Sequence, residues 1–454
     1  MDLGIVGGGY VGLVTAACLA HLGHTVVCVD IDAIRVERLQ RGELPIREPG
    51  LDELVADGLA RGRLRFANEP AAIHGADLVI VCVGTLDAAE EWTDANVRRA
   101  VLGIASDSAA PRGIVIRSTL LPGTARDIAR DVAALDTGAR LAHNPEFTRE
   151  AVAVADFLSP DRIVIGVDDH PRDPAARALA DALRRVYAPL EAPVLVTDLT
   201  SAETIKLASN VFLATKITFA NELARLCAAT GADVAAVVDG MGMDARIGRS
   251  FLSPGPGFGG SCFPSQARAL PALAHGRGVR TPLMQAVWPS NEAQAEWLID
   301  GVEQALGRAL EGERVALLGL TFKAGTDDLR ESPALRLAEL MLARGANVAA
   351  YDPVGLDRGV ALLAARSVGG APEGGSPRPG RVVAAASVEA ACKGAAAVVV
   401  ATEWPEFALL EWRRIAPLMD GDVVADGRHV VDVGSATDAG LRVFSLGVQS
   451  APPP

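Results

Sequence analysis

Aromatic residues are scarce in this chain of 454, at 4%. Cysteines are few and scattered. Cys18, Cys28, Cys82, Cys227, Cys262 and Cys392 form no C-x-x-C pair and no His/Cys spacing of zinc type. That argues against structural zinc, any other metal centre and a disulfide scaffold. Reduced thiols are the expectation, and with them a cytoplasmic location. No apolar run reaches membrane-spanning length, and no basic leader with a cleavage site precedes the first strand pattern. Positive charge is in deficit too. A net charge of −13 argues against a general nucleic-acid binder. An anionic ligand must then be met by local Lys and Arg.

What the chain has is Ala, Val, Leu and Gly, which supply most of a 50% hydrophobic content. This suits α/β layers with small helices and buried Val/Ile/Leu strands. The length implies two or three domains. Strand patterns at Leu3–Val6, Thr25–Asp30, Leu78–Val83, Ile114–Ile116 and Arg162–Ile165 alternate with helical ones, so a doubly wound, mostly parallel sheet is expected over 1–196. One long helical pattern free of Gly and Pro runs from Ser201 to about Ala229. A helical region over 197–308 carries a glycine-rich turn, and Pro289 should end or kink its later helix. At Arg314–Leu320 the strand-loop-helix-strand layout returns. Gly345 precedes Asp352 by the same seven residues that separate Gly23 from Asp30. The expected fold is therefore two Rossmann-like domains, 1–196 and 309–448, joined by a long central helix and a helical region. Ala371–Gly380 reads as a flexible loop and 449–454 as a tail.

Four clusters carry chemistry. Gly7-x-Gly9-x-x-Gly12 follows a strand and opens a helix. Gly7 permits the turn, Gly9 lets a pyrophosphate approach, and Gly12 packs helix on strand. Asp30 ends the next strand, where it can hold ribose hydroxyls and repel a 2′-phosphate. NAD is thus favoured over NADP, although Arg35 nearby can accept that phosphate. Glu203, Lys206 and Asn210 share a helix face. They are either a solvated stripe or, for Lys206 and Asn210, donors that stabilise an oxyanion. Glu146 and Glu150, in Asn144-Pro145-Glu146-Phe147 and just beyond, face one way if helical. They are either an exposed pair or a base acting on water. Cys262 lies within Gly255-Pro256-Gly257-Phe258-Gly259-Gly260-Ser261-Cys262-Phe263-Pro264. It is a small core residue or a positioned nucleophile, and the glycine turn favours the second. Lys206 is a candidate for lowering its thiol pKa.

These segments, with Glu48-Pro49-Gly50-Leu51, Val83-Gly84-Thr85, Ser118-Thr119, Phe322–Pro333 and Thr402-Glu403-Trp404, resemble the UDP-glucose/GDP-mannose dehydrogenase family in order along nearly the whole chain. The Ser-Cys-Phe-Pro wording is similar to the UDP-glucose branch; the N-acetyl-amino-sugar branch tends to carry His before the cysteine. The resemblance implies an NAD-dependent nucleotide-sugar 6-dehydrogenase. Two hydrides leave carbon 6 for NAD, and the carbon passes through a thiohemiacetal and a thioester on Cys262. Lys206 and Asn210 would stabilise oxygen charge, with Glu146 and Thr119 serving the hydrolytic water. Tyr10, Val11, Thr85, Thr119, Glu150 and Arg330 would join the glycines, Asp30 and Arg35 around the cofactor. Arg246, Phe251, Ser253, Gly257, Phe258, Gly259, Lys323 and Arg428, together with Glu146, Phe147, Glu150, Lys206 and Asn210, would hold the nucleotide sugar. The 197–308 region would also serve dimerisation and 309–448 the nucleotide sugar. Arg330 would reach the neighbouring subunit's site in an obligate homodimer. UDP-glucose is the expected substrate, against a dTDP- or GDP-hexose, a two-electron stop at the aldehyde, or a weakly active binding protein. Ser265 and Gln266 stand where the family usually has Lys and Asp, which bears on thiol activation and hydrolysis. Leu86 replaces a usual proline.

Overall fold

A computed structural model describes residues 1–87, 92–168, 173–367 and 380–447. The loop expected over 371–380 (all but Gly380) and the tail 449–454 lie outside them. The chain divides into two compact units, 1–209 and 210–454.

The first unit holds an eight-stranded sheet in the order β3-β2-β1-β4-β5-β6-β7-β8. Its strands are β1 (Asp2–Val6), β2 (Thr25–Val29), β3 (Leu64–Ala67), β4 (Leu78–Val81), β5 (Gly113–Ile116), β6 (Arg140–His143), β7 (Ile163–Val167) and β8 (Val194–Thr197). Leu3 pairs with Val26 on one side and Leu78 on the other. Helices cover both faces, so the inner strands are buried on both sides and read as unbroken apolar runs. Among the described strands of this sheet only the β6–β7 pair is antiparallel. The chain order reverses between β2 and β4 around β1, and the crevice beyond their carboxyl ends is where a doubly wound sheet takes its ligand.

The second unit has a six-stranded, all-parallel sheet ordered β11-β10-β9-β12-β13-β14. These strands are β9 (Arg314–Leu318), β10 (Asn347–Tyr351), β11 (Val382–Ala384), β12 (Ala397–Val400), β13 (Val423–Asp426) and β14 (Arg442–Ser445). Ser332 caps the helix Pro333–Ala343 by accepting from Ala334 N, with Pro333 at the first helical position.

The long helix spans Leu199–Thr230, slightly beyond its expected limits. Pro289 does not end its helix. The helix Pro282–Leu306 continues past it, because Val287, Ala295, Leu298, Ile299 and Val302 bury one face of that helix. Their burial outweighs the ~3 kcal/mol that an interior proline costs.

Candidate active site

At the carboxyl end of β1 the chain turns through Gly7, whose φ of +103° suits glycine. A Cβ on Gly12 would lie 1.8 Å from the Gly7 carbonyl oxygen, so helix and strand approach as closely as glycine allows. A Cβ on Gly9 would meet nothing within 4 Å. That open space faces the start of the helix Tyr10–His21, whose first turn carries no acidic side chain. The cradle thus has the room and the donors for a pyrophosphate. Asp30 follows β2 and is 9% exposed. It accepts from Gly8 N at 2.7 Å, Asp32 N at 2.9 Å and the Arg35 guanidinium at 3.0 Å. Arg35 therefore already has a carboxylate partner. Val11, Thr85 and Thr119 are half-buried, with Thr119 in the loop after β5.

Beyond β6 the segment 144–149 is irregular, so Glu146 and Glu150 do not share a helix face as the spacing suggested. Pro145 excludes a helical Asn144, and the Asn144 amide is bound instead to Val164 O at 2.8 Å, Arg117 and Tyr187. The Glu203–Lys206 stripe is not solvated either. Glu203 is 0% exposed and Lys206 2%. Glu203 accepts from Gly123 N and Ala125 N, both at 2.6 Å, and so caps the helix Thr124–Ala134. Burial pushes its carboxyl up to about 7 against those two bonds. The Lys206 ammonium donates to Glu146 Oε1 at 2.9 Å, while Glu146 Oε2 accepts from Thr148 N and Oγ1 at 2.7 Å. Burial would raise the Glu146 carboxyl, but Lys206 and Thr148 hold it below its ordinary value. The Phe147 ring carries the Arg162 guanidinium at 3.9 Å and Lys206 at 5.4 Å from its centroid.

In the second unit Cys262 is exposed, whereas the other five cysteines are buried. It immediately precedes the helix Phe263–Gly276. The turn before it is held by amides from two helices. Asn221 Oδ1 accepts from Gly255 N at 2.8 Å and Gln294 Nε2 donates to Gly255 O at 3.0 Å. Asn291 accepts from Phe258 N at 2.8 Å and donates to Phe258 O at 3.2 Å. Gly257 (φ +122°) passes so close to Asn291 that a Cβ would stand 3.0 Å from Oδ1. Gly259 lies against Glu331 O, where a Cβ would come to 2.3 Å, and Gly260 N donates to Arg330 O at 3.1 Å. A thiol at the end of this turn is placed by backbone, not by its own packing.

Sequence profiles of three domains match the chain in succession. These are the UDP-glucose/GDP-mannose dehydrogenase family NAD binding domain over 1–191, its central domain over 200–293 and its UDP binding domain over 316–433. The chain belongs to the UDP-glucose/GDP-mannose dehydrogenase family. A UDP-glucose 6-dehydrogenase of Rickettsia conorii is 37% identical over 98% of this chain and 99% of its own. One from Rhizobium meliloti is 38% identical over 98% and 99%. The solved UDP-glucose dehydrogenase of Pyrobaculum islandicum superposes with a TM-score of 0.85 at 35% identity, covering 99% of this chain and 98% of that one. This dehydrogenase is therefore an NAD-dependent enzyme that oxidises a nucleotide hexose, and the cradle around Gly9 suits its cofactor. No helix among the described residues is long and apolar enough to cross a membrane.

The remaining expected residues of the dehydrogenase fall into two groups. Near the cysteine turn, Arg428 donates to Ala401 O and Phe322 O and pairs with Glu403 at 3.1 Å. Its guanidinium would stand 3.3 Å from a Cβ on Gly255. Phe258 is buried against Phe263 and Trp288, and Phe251 packs on Phe263 at φ +65°. Asn210, one turn along the long helix from Lys206 and not tied to this turn by any described bond, is 8% exposed. The second group faces outward. Arg246 forks onto Asp244 with its side chain 89% exposed, Arg330 forks onto Asp328, and Arg249 donates to Ser253. Lys323 is half-buried and lies 5.5 Å from the Phe322 ring centroid. Gln266 is 5% exposed, and its Oε1 has no protein partner. Asp352, which resembles Asp30 in position, accepts from Leu320 N and Thr321 N and from Trp404 Nε1. It holds the loop after β9 as Asp30 holds Gly8 N in the first unit. Sequence reasoning missed Asn221, Asn291 and Gln294. Their only trace was an uncharged amide at positions where the helix otherwise buries apolar side chains.

Proposed function

We propose that the substrate is UDP-glucose and that it is oxidised at carbon 6, by four electrons, to UDP-glucuronate. The observation that carries this reading is the one exposed thiol among six, at the end of a turn fixed by Asn221, Asn291 and Gln294. The names of the similar proteins support the sugar. When bound, NAD accepts a hydride from carbon 6, once per oxidation. Cys262 adds to the aldehyde, and loss of a second hydride leaves a thioester. Lys206 and Asn210 donate to the developing oxyanion. Glu146, kept ionised beside Lys206, orients the hydrolytic water with Thr119 and takes its proton. Water then displaces the Cys262 sulfur and releases the acid. Asp30 and Arg35 hold the adenosine ribose, with Tyr10, Val11, Thr85 and Glu150 along the cofactor. Phe147, Arg246, Phe251, Ser253, Gly257, Phe258, Gly259, Lys323 and Arg428 hold the nucleotide sugar. Arg330 completes the site of a neighbouring copy, so the working form is a homodimer.

The test is the ratio of NADH to sugar with UDP-glucose, read with product mass. Two NADH and an acid support the proposal. One NADH and an aldehyde support a two-electron enzyme, a reading favoured by Gln266, whose amide cannot accept a proton. Turnover with a dTDP- or GDP-hexose alone would move the substrate assignment.

A further inference from the structure

We propose that Glu48 is a positioning residue: one buried carboxylate ties the start of the dinucleotide helix to the backbone that carries Glu150. This rests on the reading above of Glu150 as a neighbour of the cofactor.

Glu48 is 3% exposed. Three donors converge on it. Its Oε1 accepts from Ala153 N at 2.6 Å. Its Oε2 accepts from Ala151 N at 2.7 Å and from the Tyr10 hydroxyl. A buried carboxylate needs such partners, and here they come from two segments far apart in the chain. Tyr10 is the first residue after Gly9, where the cradle is open. Ala151 directly follows Glu150.

Ala151 has a φ of +64°. Alanine disfavours this left-handed region because its Cβ crowds the backbone. Something outside the residue must hold it there, and its N–H is held by Glu48, with the Tyr10 hydroxyl oxygen alongside. A return to negative φ would turn the peptide between Glu150 and Ala151 and carry the Glu150 side chain with it. The other anchors of this loop act before that point. Thr148 binds Glu146, and Arg149 binds Asp156 through both its amide and its guanidinium. Glu48 grips the 151–153 side through both carboxylate oxygens, and the Tyr10 hydroxyl reaches the Ala151 amide beside it.

The electrostatics agree with the geometry. Burial raises the Tyr10 phenol pKa, and the hydrogen bond to Glu48 and the charges of Glu48 and Glu150 raise it further. Tyr10 therefore remains a donor to Glu48 throughout the working pH range, and the Glu150 charge lies close enough to be felt at Tyr10.

The test compares wild type with Glu48→Gln, Ala151→Gly and the double variant in the full-length protein. Gln keeps the shape of Glu48 and loses its charge. In Glu48→Gln, amide hydrogen exchange over 150–155 of the cofactor-free protein should quicken by about tenfold. KM for NAD should rise by about fivefold and kcat fall by about tenfold, with KM for UDP-glucose changing less than about twofold. Glycine adopts positive φ freely, so Ala151→Gly should raise the wild-type Tm by about 1–2 °C. In the Glu48→Gln background it should recover much of the lost kcat. A Glu48→Gln enzyme with wild-type kcat and KM for NAD overturns the proposal. So does a loss that Ala151→Gly leaves unrescued, since that is the behaviour of general destabilisation. Should Glu48→Gln fail to fold, Tyr10→Phe removes one arm alone. It should raise KM for NAD, and an unchanged KM for NAD overturns the coupling. Glu150→Gln separates the two readings. If it leaves kcat and KM for NAD at wild-type values, the placement of Glu150 fails. The exchange and Tm results then still judge whether Glu48 holds Ala151.

Discussion

Lys206 and Glu146 meet at 2.9 Å with their side chains only 3% and 7% exposed. Removing one member of such a pair strands a charge, so Lys206→Met should lower unfolding free energy by about 3–5 kcal/mol. Chemical denaturation of the cofactor-free protein measures this. The pH dependence follows from Glu146. Its folded pKa is depressed below the ordinary value of 4.5, so its ionised form stabilises the fold above that value. The stabilisation fades as pH falls through the lower, folded value. The Tm gap between wild type and Glu146→Gln should be full at neutral pH and close as pH falls below the ordinary carboxylate range. A gap that persists undiminished into acid would mean that the charge is not what Lys206 holds. For the proposed chemistry, Cys262→Ala should form no acid from UDP-glucose, and full acid output would end the thioester route. Gln266→Asp should speed product release if the missing carboxylate limits hydrolysis, which single-turnover kinetics would read.

At the scale of elements, rigidity at the cysteine comes from helix side chains gripping loop backbone. Asn291, from the helix Pro282–Leu306, closes both the N–H and the C=O of Phe258. Asn291→Ala leaves two buried backbone groups unpaired, at about 1–3 kcal/mol for the loss. Because the turn, not the dinucleotide cradle, loosens, kcat should fall while NAD binding measured by calorimetry stays within about twofold. Glu203 plays a matching part in the first unit, where the long helix caps the helix Thr124–Ala134. The strand patterns and the long helix were legible in sequence because their apolar runs are determined locally. Pro289 does not end its helix, because burial along a whole helix face overrides the local rule. Glu146 and Glu150 misled because Pro145 and the contacts of Asn144 decide that loop, and spacing alone does not reveal them.

For the whole molecule, two open sheets of one design have diverged at their switch points. The first keeps room over Gly9. The second keeps the same tie, Asp352 to Leu320 N where the first has Asp30 to Gly8 N, but carries Leu320 and Thr321 where the first has Gly8 and Gly9. The proposed homodimer belongs to this scale. If Arg330 serves a neighbouring site, Cys262→Ala and Arg330→Ala enzymes, each inactive, should regain about a quarter of wild-type activity when their subunits are exchanged. Half the pairs would then be hybrid, each with one intact site. No recovery after proven exchange would place Arg330 in its own subunit's site or outside the chemistry.

The sequence by itself determined the two doubly wound units, the dinucleotide cradle and the family, because each is written in short-range pattern: glycine spacing, apolar runs and a cysteine turn. Tertiary structure alone decided that Glu203 and Lys206 are buried and partnered, that Glu146 and Glu150 lie on a loop, and that amides of distant helices hold the turn before Cys262. Those outcomes depend on which groups exclude water from one another. Residues far apart in the chain settle that, and no local window contains them.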